Sequence, residues 1–221
     1  MPVNPNNHPQ SKQSLGFSVV IQAGGESRRM GQDKGLLPFL GKPMISRVMA
    51  HLAPIAGEML VTTNHPEDYK FLDAPLFPDL IPGRGALGGL YTALSAASQP
   101  LVAVVACDMP FIKADLLAFQ RDLLIQAEAD IAIPHLEGGL EPFHAIYRRL
   151  ACLPHIEAAL EADKWRVDAW FGKVKVVQIS KETISERDPE LLSFRNVNTP
   201  EELQAAIQLA RSQNGDQSGG N

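Results

Sequence analysis

Three short apolar runs, at residues 17–21, 59–63 and 101–106, punctuate the first half of the chain. The third, Leu-Val-Ala-Val-Val-Ala, has no polar position, which predicts a parallel strand covered on both faces. Helical spacing fills the gaps: Leu87, Leu90 and Leu94 share one face, and Leu116, Phe119 and Leu123 share another. Pro43, after the turn at Gly41 and Lys42, marks the opening of the first helix. Strands alternating with helices predict right-handed βαβ units, and hence a three-layer α/β fold with a mostly parallel sheet. After Ile133 the rhythm changes, with Glu137-Gly138-Gly139 as a turn between two extended segments. Leu153, Ile156 and Leu160 mark a further helix, and residues 174–179 a late strand. Thr199-Pro200-Glu201-Glu202 predicts the start of the last helix, with Thr199 as N-cap and Glu202 closing a capping box.

The ends of the chain lack this patterning. Residues 1–14 and 212–221 are rich in Asn, Gln, Ser, Pro and Gly, and are expected to be disordered tails around a single domain, 15–211. A hydrophobic content of 45% supports a real core, and a net charge of −5 offers no general attraction to nucleic acid or anionic membrane. Cys107 and Cys152 are too few for a disulfide framework or a four-cysteine zinc site. No apolar run approaches the roughly 20 residues that cross a bilayer, and no secretory signal is legible, so a soluble cytoplasmic protein is expected.

Positive charge is concentrated where the first strand ends. The loop from Gln22 through Ala23, Gly24, Gly25, Arg28, Arg29 and Gly31 to Lys34 and Gly35 packs four glycines and three basic side chains together. Glycine lets backbone N–H groups approach a ligand closely, and successive N–H groups form an anion-binding concavity. The loop is therefore suited to a triphosphate, although a mobile surface loop has the same composition. It is not a Walker A loop, because no Gly-x-x-x-x-Gly-Lys-Ser/Thr occurs.

A carboxylate, Asp108, follows the buried 101–106 strand and so lies at the carboxyl edge of the sheet, in the crevice where open α/β sheets bind ligands. It suits Mg²⁺, which takes one or two carboxylates and completes its shell with water and phosphate. Shaping the turn before Pro110 is the other role open to it. Gly83-Arg84-Gly85-Ala86-Leu87-Gly88 matches a dinucleotide-binding fingerprint, with Asp108 at the spacing of a ribose-binding acid. Pro78 and Pro82 interrupt the strand that this fingerprint requires, which favours a helix N-terminus approaching a nucleotide instead.

Together these segments resemble the molybdenum cofactor guanylyltransferases, of the nucleotidyltransferase superfamily. The resemblance runs from Val19 to Leu203. It rests on Ala23-Gly24-Gly25, Met30-Gly31, Asp33-Lys34-Gly35-Leu36-Leu37, the 82–90 glycine segment, Cys107-Asp108-Met109-Pro110, the 140–149 segment and Asn196-Val197-Asn198-Thr199-Pro200. Three positions depart: Gln22 replaces a leucine, Ala86 a proline, and His144 a small or apolar residue. The resemblance implies a Rossmann-like nucleotidyltransferase fold. It also implies transfer of GMP from GTP to the molybdopterin form of the cofactor, with release of pyrophosphate. Lys34, Asp108 and Arg28 are then the catalytic candidates. Gln22, Ala23, Gly24, Gly25, Lys34, Asn64, Asp79 and Asp108 are the nucleotide-binding candidates, with Asp108 holding Mg²⁺ and Asn198 on the acceptor side. The implied partners are GTP, molybdopterin and, transiently, other cofactor-synthesis proteins.

Chemistry adds detail to two of these. Guanine offers adjacent N1–H and N2–H donors, which one carboxylate such as Asp79 accepts side by side; a loop aspartate in a proline-rich turn is the alternative. The acceptor's terminal phosphate is already an anion, so catalysis can rest on alignment and charge neutralisation without a protein base. Transfer from CTP, a sugar-phosphate acceptor, and a non-catalytic nucleotide-binding regulator remain as alternatives.

Overall fold

The computed structural model describes residues 17–24 and 33–217. Its elements run β1 (Ser18–Gln22), β2 (Pro38–Phe39), β3 (Lys42–Pro43), α1 (Met44–Leu52), β4 (Glu58–Thr62), β5 (Leu76–Phe77), α2 (Gly85–Ala96) and β6 (Leu101–Ala106). The second half continues with α3 (Ala114–Gln126), β7 (Ile131–Leu136), β8 (Gly139–Leu140), β9 (His144–Arg148), α4 (Arg149–Glu161), β10 (Val176–Ser180), α5 (Lys181–Ser185) and α6 (Pro200–Gln217).

Among the described residues, eight strands form one sheet in the order β10-β7-β9-β6-β1-β4-β5, with β8 paired to β7. β1 lies parallel between β4 and β6, matching Val20 to Leu60 on one side and to Val104 on the other. This central position explains why residues 19–21 and 101–106 are continuously apolar: each side chain meets a helix on one face or the other. Val19, Ile21, Ala103 and Val105 face Ile45, Val48 and Leu52 of α1 and Leu116, Leu117 and Leu124 of α3. Val20, Val102 and Val104 face Leu87, Leu90 and Leu94 of α2 and Ile156 and Leu160 of α4. Three layers result, as the alternation of apolar runs implies. The α3 face is turned slightly from the expected one: Leu116, Leu117, Gln120 and Leu124 are buried, while Phe119 and Leu123 are only partly covered.

The altered rhythm after Ile133 has a topological cause. β9 inserts antiparallel between β6 and β7, with Val104 opposite Ala145 and Ile131 opposite Tyr147. Near the N-terminus, β2 and β3 form a hairpin whose turn residues Leu40 and Gly41 have φ of 50° and 83°, the left-handed pair that a tight hairpin needs. Pro43 ends that hairpin and directly precedes α1.

The final helix begins as its sequence predicts. Glu202 N–H donates to Thr199 Oγ1 at 3.2 Å, and Glu202 Oε2 accepts from the N–H groups of Thr199 at 3.2 Å and Asn198 at 2.6 Å. Leu203, Ala206 and Ala210 of α6 pack on Leu37, Phe39, Met44 and Phe111, a third core over the carboxyl edge of the sheet. The helix runs on to Gln217, into the stretch from Ser212 onward that composition alone reads as disordered. Among the described residues no helix is long and apolar enough to cross a membrane.

Candidate active site

The carboxyl ends of β1, β4 and β6 open into a cleft of about 780 Å³. Gln22, Gly24, Lys34, Asn64, Asp79 and Asp108 all line it, so the topology gathers these candidates from five separate segments. Ala23 is buried at the end of β1, where its N–H donates to Thr62 O at 2.8 Å. Gly25 and Arg28, with Arg29, lie outside the described residues.

Lys34 opens a short 3₁₀ turn, Lys34–Leu36, whose N-cap Asp33 accepts from Gly35 N–H at 3.0 Å. Gly35 is wedged against the core: a Cβ there would stand 2.6 Å from the Tyr69 hydroxyl and 3.3 Å from Cys107 Sγ. The turn can sit this deep only with glycine, and that depth aims Lys34 across the cleft. Its ammonium donates to Asp108 Oδ2 at 3.0 Å and to Asn198 Oδ1 at 2.5 Å. Asn198 is free to accept because the capping box of α6 uses only its backbone N–H. Next to it, Val197 N–H donates to Asp108 O at 3.0 Å, so the segments around positions 108 and 198 are tied by backbone as well.

Asp108 is nearly buried, and its second oxygen, Oδ1, has no hydrogen-bond partner among the described residues. A buried carboxylate oxygen without a donor is costly, and a cation from the cleft is what would satisfy it. Among the described residues no three His, Cys, Asp or Glu side chains gather as a metal cage. A single carboxylate facing an open cleft fits Mg²⁺ that shares its shell with phosphate and water, rather than a structural zinc. Cys107, beside it, is no nucleophile: burial first, and then the Asp108 charge, push its thiol well above the usual range.

Asn64 and Asp79 are paired with each other. Asn64 Nδ2 donates to Asp79 Oδ2 at 2.8 Å, and Asp79 N–H donates to Asn64 Oδ1 at 3.0 Å. This two-point clamp joins the loops after β4 and β5 and fixes the direction of the Asp79 carboxylate.

Gln22 is the departure at the end of β1. Its carbonyl accepts from Cys107 N–H at 3.0 Å, while its side-chain Nε2 is buried without a partner among the described residues. The amide lies against α2, where a Cβ on Gly89 would meet Gln22 Nε2 at 3.1 Å. The fingerprint-like stretch 83–88 does not follow a strand, since β5 ends at Phe77. Gly83 and Gly85 take φ of 75° and 53° to turn the chain into α2, whose N-terminal residues Gly85 and Ala86 line the cleft. Asp108, the ribose-binding acid of that reading, is instead paired with Lys34.

Two further residues of the cleft are not among the site candidates. Phe143 precedes β9 and lies within the 140–149 segment of the resemblance, whereas Trp165, in the loop after α4, belongs to no periodic pattern or motif. His144, by contrast, is shut inside the core, with Gln120 Nε2 at 3.0 Å from Nδ1 and the Phe194 ring tilted against it at 4.4 Å between centroids, and has no access to the cleft.

Residues 19–174 match the MobA-like NTP transferase domain. A molybdenum cofactor guanylyltransferase from Desulfosudis oleivorans is 35% identical over 198 residues, covering 87% of this chain and 96% of that protein. Among solved structures, molybdopterin-guanine dinucleotide biosynthesis protein A from Archaeoglobus fulgidus superposes with a TM-score of 0.77 at 26% identity, covering 89% of this chain and 100% of the other. A 2-C-methyl-D-erythritol 4-phosphate cytidylyltransferase from Thermus thermophilus shares the fold, with a TM-score of 0.63 at 19% identity. The chain belongs to the molybdenum cofactor guanylyltransferase family of MobA-like NTP transferases and is a nucleotidyltransferase.

Proposed function

We propose that the protein transfers GMP from GTP to the terminal phosphate of a molybdopterin-type molybdenum cofactor, releasing pyrophosphate. The observation that carries this reading is the Lys34–Asp108–Asn198 cluster at the edge of the cleft, in which Asp108 keeps one buried oxygen without a donor among the described residues. Asp108 would hold Mg²⁺, which supplies charge neutralisation on the phosphates when bound. Lys34 binds the same phosphates as a compact cation, and Asn198 keeps its ammonium aimed at them. Gly25 and Arg28 are assigned to the same phosphates by their place in the sequence motif alone. At the far end of the cleft Asp79 accepts guanine's N1–H and N2–H, and Asn64 holds that carboxylate in place. No residue of the cluster is asked to remove a proton, because the attacking phosphate oxygen is already charged. A cytoplasmic setting and transient contact with the proteins that supply the cofactor belong to the same proposal.

Pyrophosphate release, measured with each NTP and Mg²⁺ in the presence and absence of molybdopterin, tests it. Release with GTP that depends on molybdopterin is expected. Turnover with CTP, or with a sugar phosphate in place of molybdopterin, would replace the assignment, and saturable GTP binding without turnover would make the chain a nucleotide-binding regulator.

A further inference from the structure

Trp165 is 56% exposed, although its ring borders the cleft, while the only other tryptophan, Trp170, is buried in the core. An exposed indole on a cleft wall has stacking surface to offer. This one also has a neighbour that braces it. The Arg84 guanidinium lies 5.2 Å from the ring centroid, pairs with Asp163 and donates to Leu160 O at 3.4 Å. Arg84 immediately precedes α2, and Leu160 and Asp163 mark the end of α4, so the ring is braced between two helices. Bracing lowers the entropy that a stacking partner must overcome on binding.

Sheet order separates the strand ends on the two sides of the Lys34–Asp108 pair. Asn64 and Asp79 follow β4 and β5, on one side of β1. Phe143 leads into β9, on the far side of β6, and Trp165 follows the helix that β9 feeds. The Lys34–Asp108 pair lies between these two ends, at the carboxyl edges of β1 and β6. A nucleotide whose base meets Asp79 and whose phosphates meet Lys34 leaves the Phe143 and Trp165 end for the second substrate. We propose that Trp165, braced by Arg84, is the platform on which the acceptor stacks a fused, flat heteroaromatic ring of the pterin type, with Phe143 as the apolar lip of that subsite. The proposal rests on the acceptor reading above and names its ring-binding residues.

The position of Trp165 supplies its own probe, since it is the solvent-facing one of the two tryptophans in the sequence. Pterin-6-carboxylate is titrated while tryptophan emission is recorded, and GTP affinity is measured separately by calorimetry. Saturable quenching by the pterin is expected, and it should vanish in Trp165→Phe. Trp165→Ala should raise the KM for molybdopterin by roughly 5- to 150-fold, the range for loss of one aromatic stack, and leave GTP affinity unchanged. Trp165→Phe should recover most of that KM. Quenching by GTP, together with loss of GTP affinity in Trp165→Ala, would assign the ring to the nucleobase and overturn the proposal. An unchanged molybdopterin KM in Trp165→Ala, or no saturable pterin quenching, would overturn it as well. Pterin quenching in a protein that fails to turn over molybdopterin would uphold the platform and sink only the proposed reaction.

Discussion

The Lys34 ammonium bridges Asp108 Oδ2 at 3.0 Å and Asn198 Oδ1 at 2.5 Å, joining the first, middle and last thirds of the chain at one point. Its side chain is 25% exposed and that of Asp108 12%, so the pair is neither a surface ion pair nor a fully dry one. Lys34→Ala leaves Asp108 beside the core without a counter-charge, and is expected to cost about 1–3 kcal/mol of stability by urea denaturation. It should also lower kcat by roughly 10²-fold, as other lost charge stabilisers do. Lys34→Arg should recover only part of the rate, because a planar fork cannot reproduce a compact ammonium. Normal stability and turnover in both variants would remove Lys34 from the site.

Asp108→Asn keeps the side-chain volume and removes the charge. The expected result is an intact fold by circular dichroism with turnover reduced by roughly 10²-fold or more, most severely at limiting Mg²⁺. Wild-type rates at limiting Mg²⁺ would exclude Asp108 from metal binding.

The Asn64–Asp79 clamp makes a prediction about coupling. Asp79→Asn places an amide donor against guanine's donors and is expected to weaken GTP by a few kcal/mol, leaving ATP almost unchanged. Inosine triphosphate, which lacks the 2-amino group, should lose less. Asn64→Ala should reproduce part of the same selectivity loss because it releases the carboxylate, and the double variant should fall short of the sum. Strict additivity, or equal losses for GTP and ATP, would place Asp79 away from the base.

Gln22 buries an amide nitrogen that has no partner among the described residues. Gln22→Leu removes that donor and keeps an apolar side chain against Gly89, so the ligand-free protein should gain about 1 kcal/mol, or roughly 2–4 °C in Tm. A fall in Tm would mean that the amide is satisfied in solution by an ordered water.

His144 makes stability depend on pH. Burial is the main cause that lowers its pKa to about 4, opposed by its own backbone hydrogen bond and by the charge of Asp188. The folded value lies below the ordinary 6.5, so the unfolded chain binds more protons between the two. Stability from this residue is therefore full above pH 6.5 and is lost as pH falls toward 4, by as much as about 3 kcal/mol. Denaturation midpoints for wild type and His144→Asn at pH 7 and pH 5 check this. The variant should lose the slope in that window, and an unchanged slope would assign it to the carboxylates.

What was legible in the sequence is what local chemistry decides. The apolar runs of β1 and β6 and the Thr199–Glu202 capping box each carry their reason within a few residues. The β9 insertion does not, because His144–Arg148 pairs with strands on both sides that are distant in sequence, and no local pattern states the direction of pairing. The same holds within the site. Asp108 announces itself by following a buried strand, whereas the pairing of Asn64 with Asp79 depends on how two loops converge. Trp165 has no motif around it, and only the fold brings it to Arg84.

The capping box at the start of α6 also links a helix terminus to the cleft. Because Glu202 holds the backbone of Asn198 and Thr199, the side chain that accepts from Lys34 is positioned by the docking of α6. That helix rests on Leu37, Phe39 and Phe111 through Leu203, Ala206 and Ala210, so a packing defect there reaches the Lys34 ammonium without touching any residue that lines the cleft. Distance from the nucleotide is therefore no guarantee of neutrality: a change on the apolar face of α6 acts on the Lys34–Asp108–Asn198 cluster through the helix backbone.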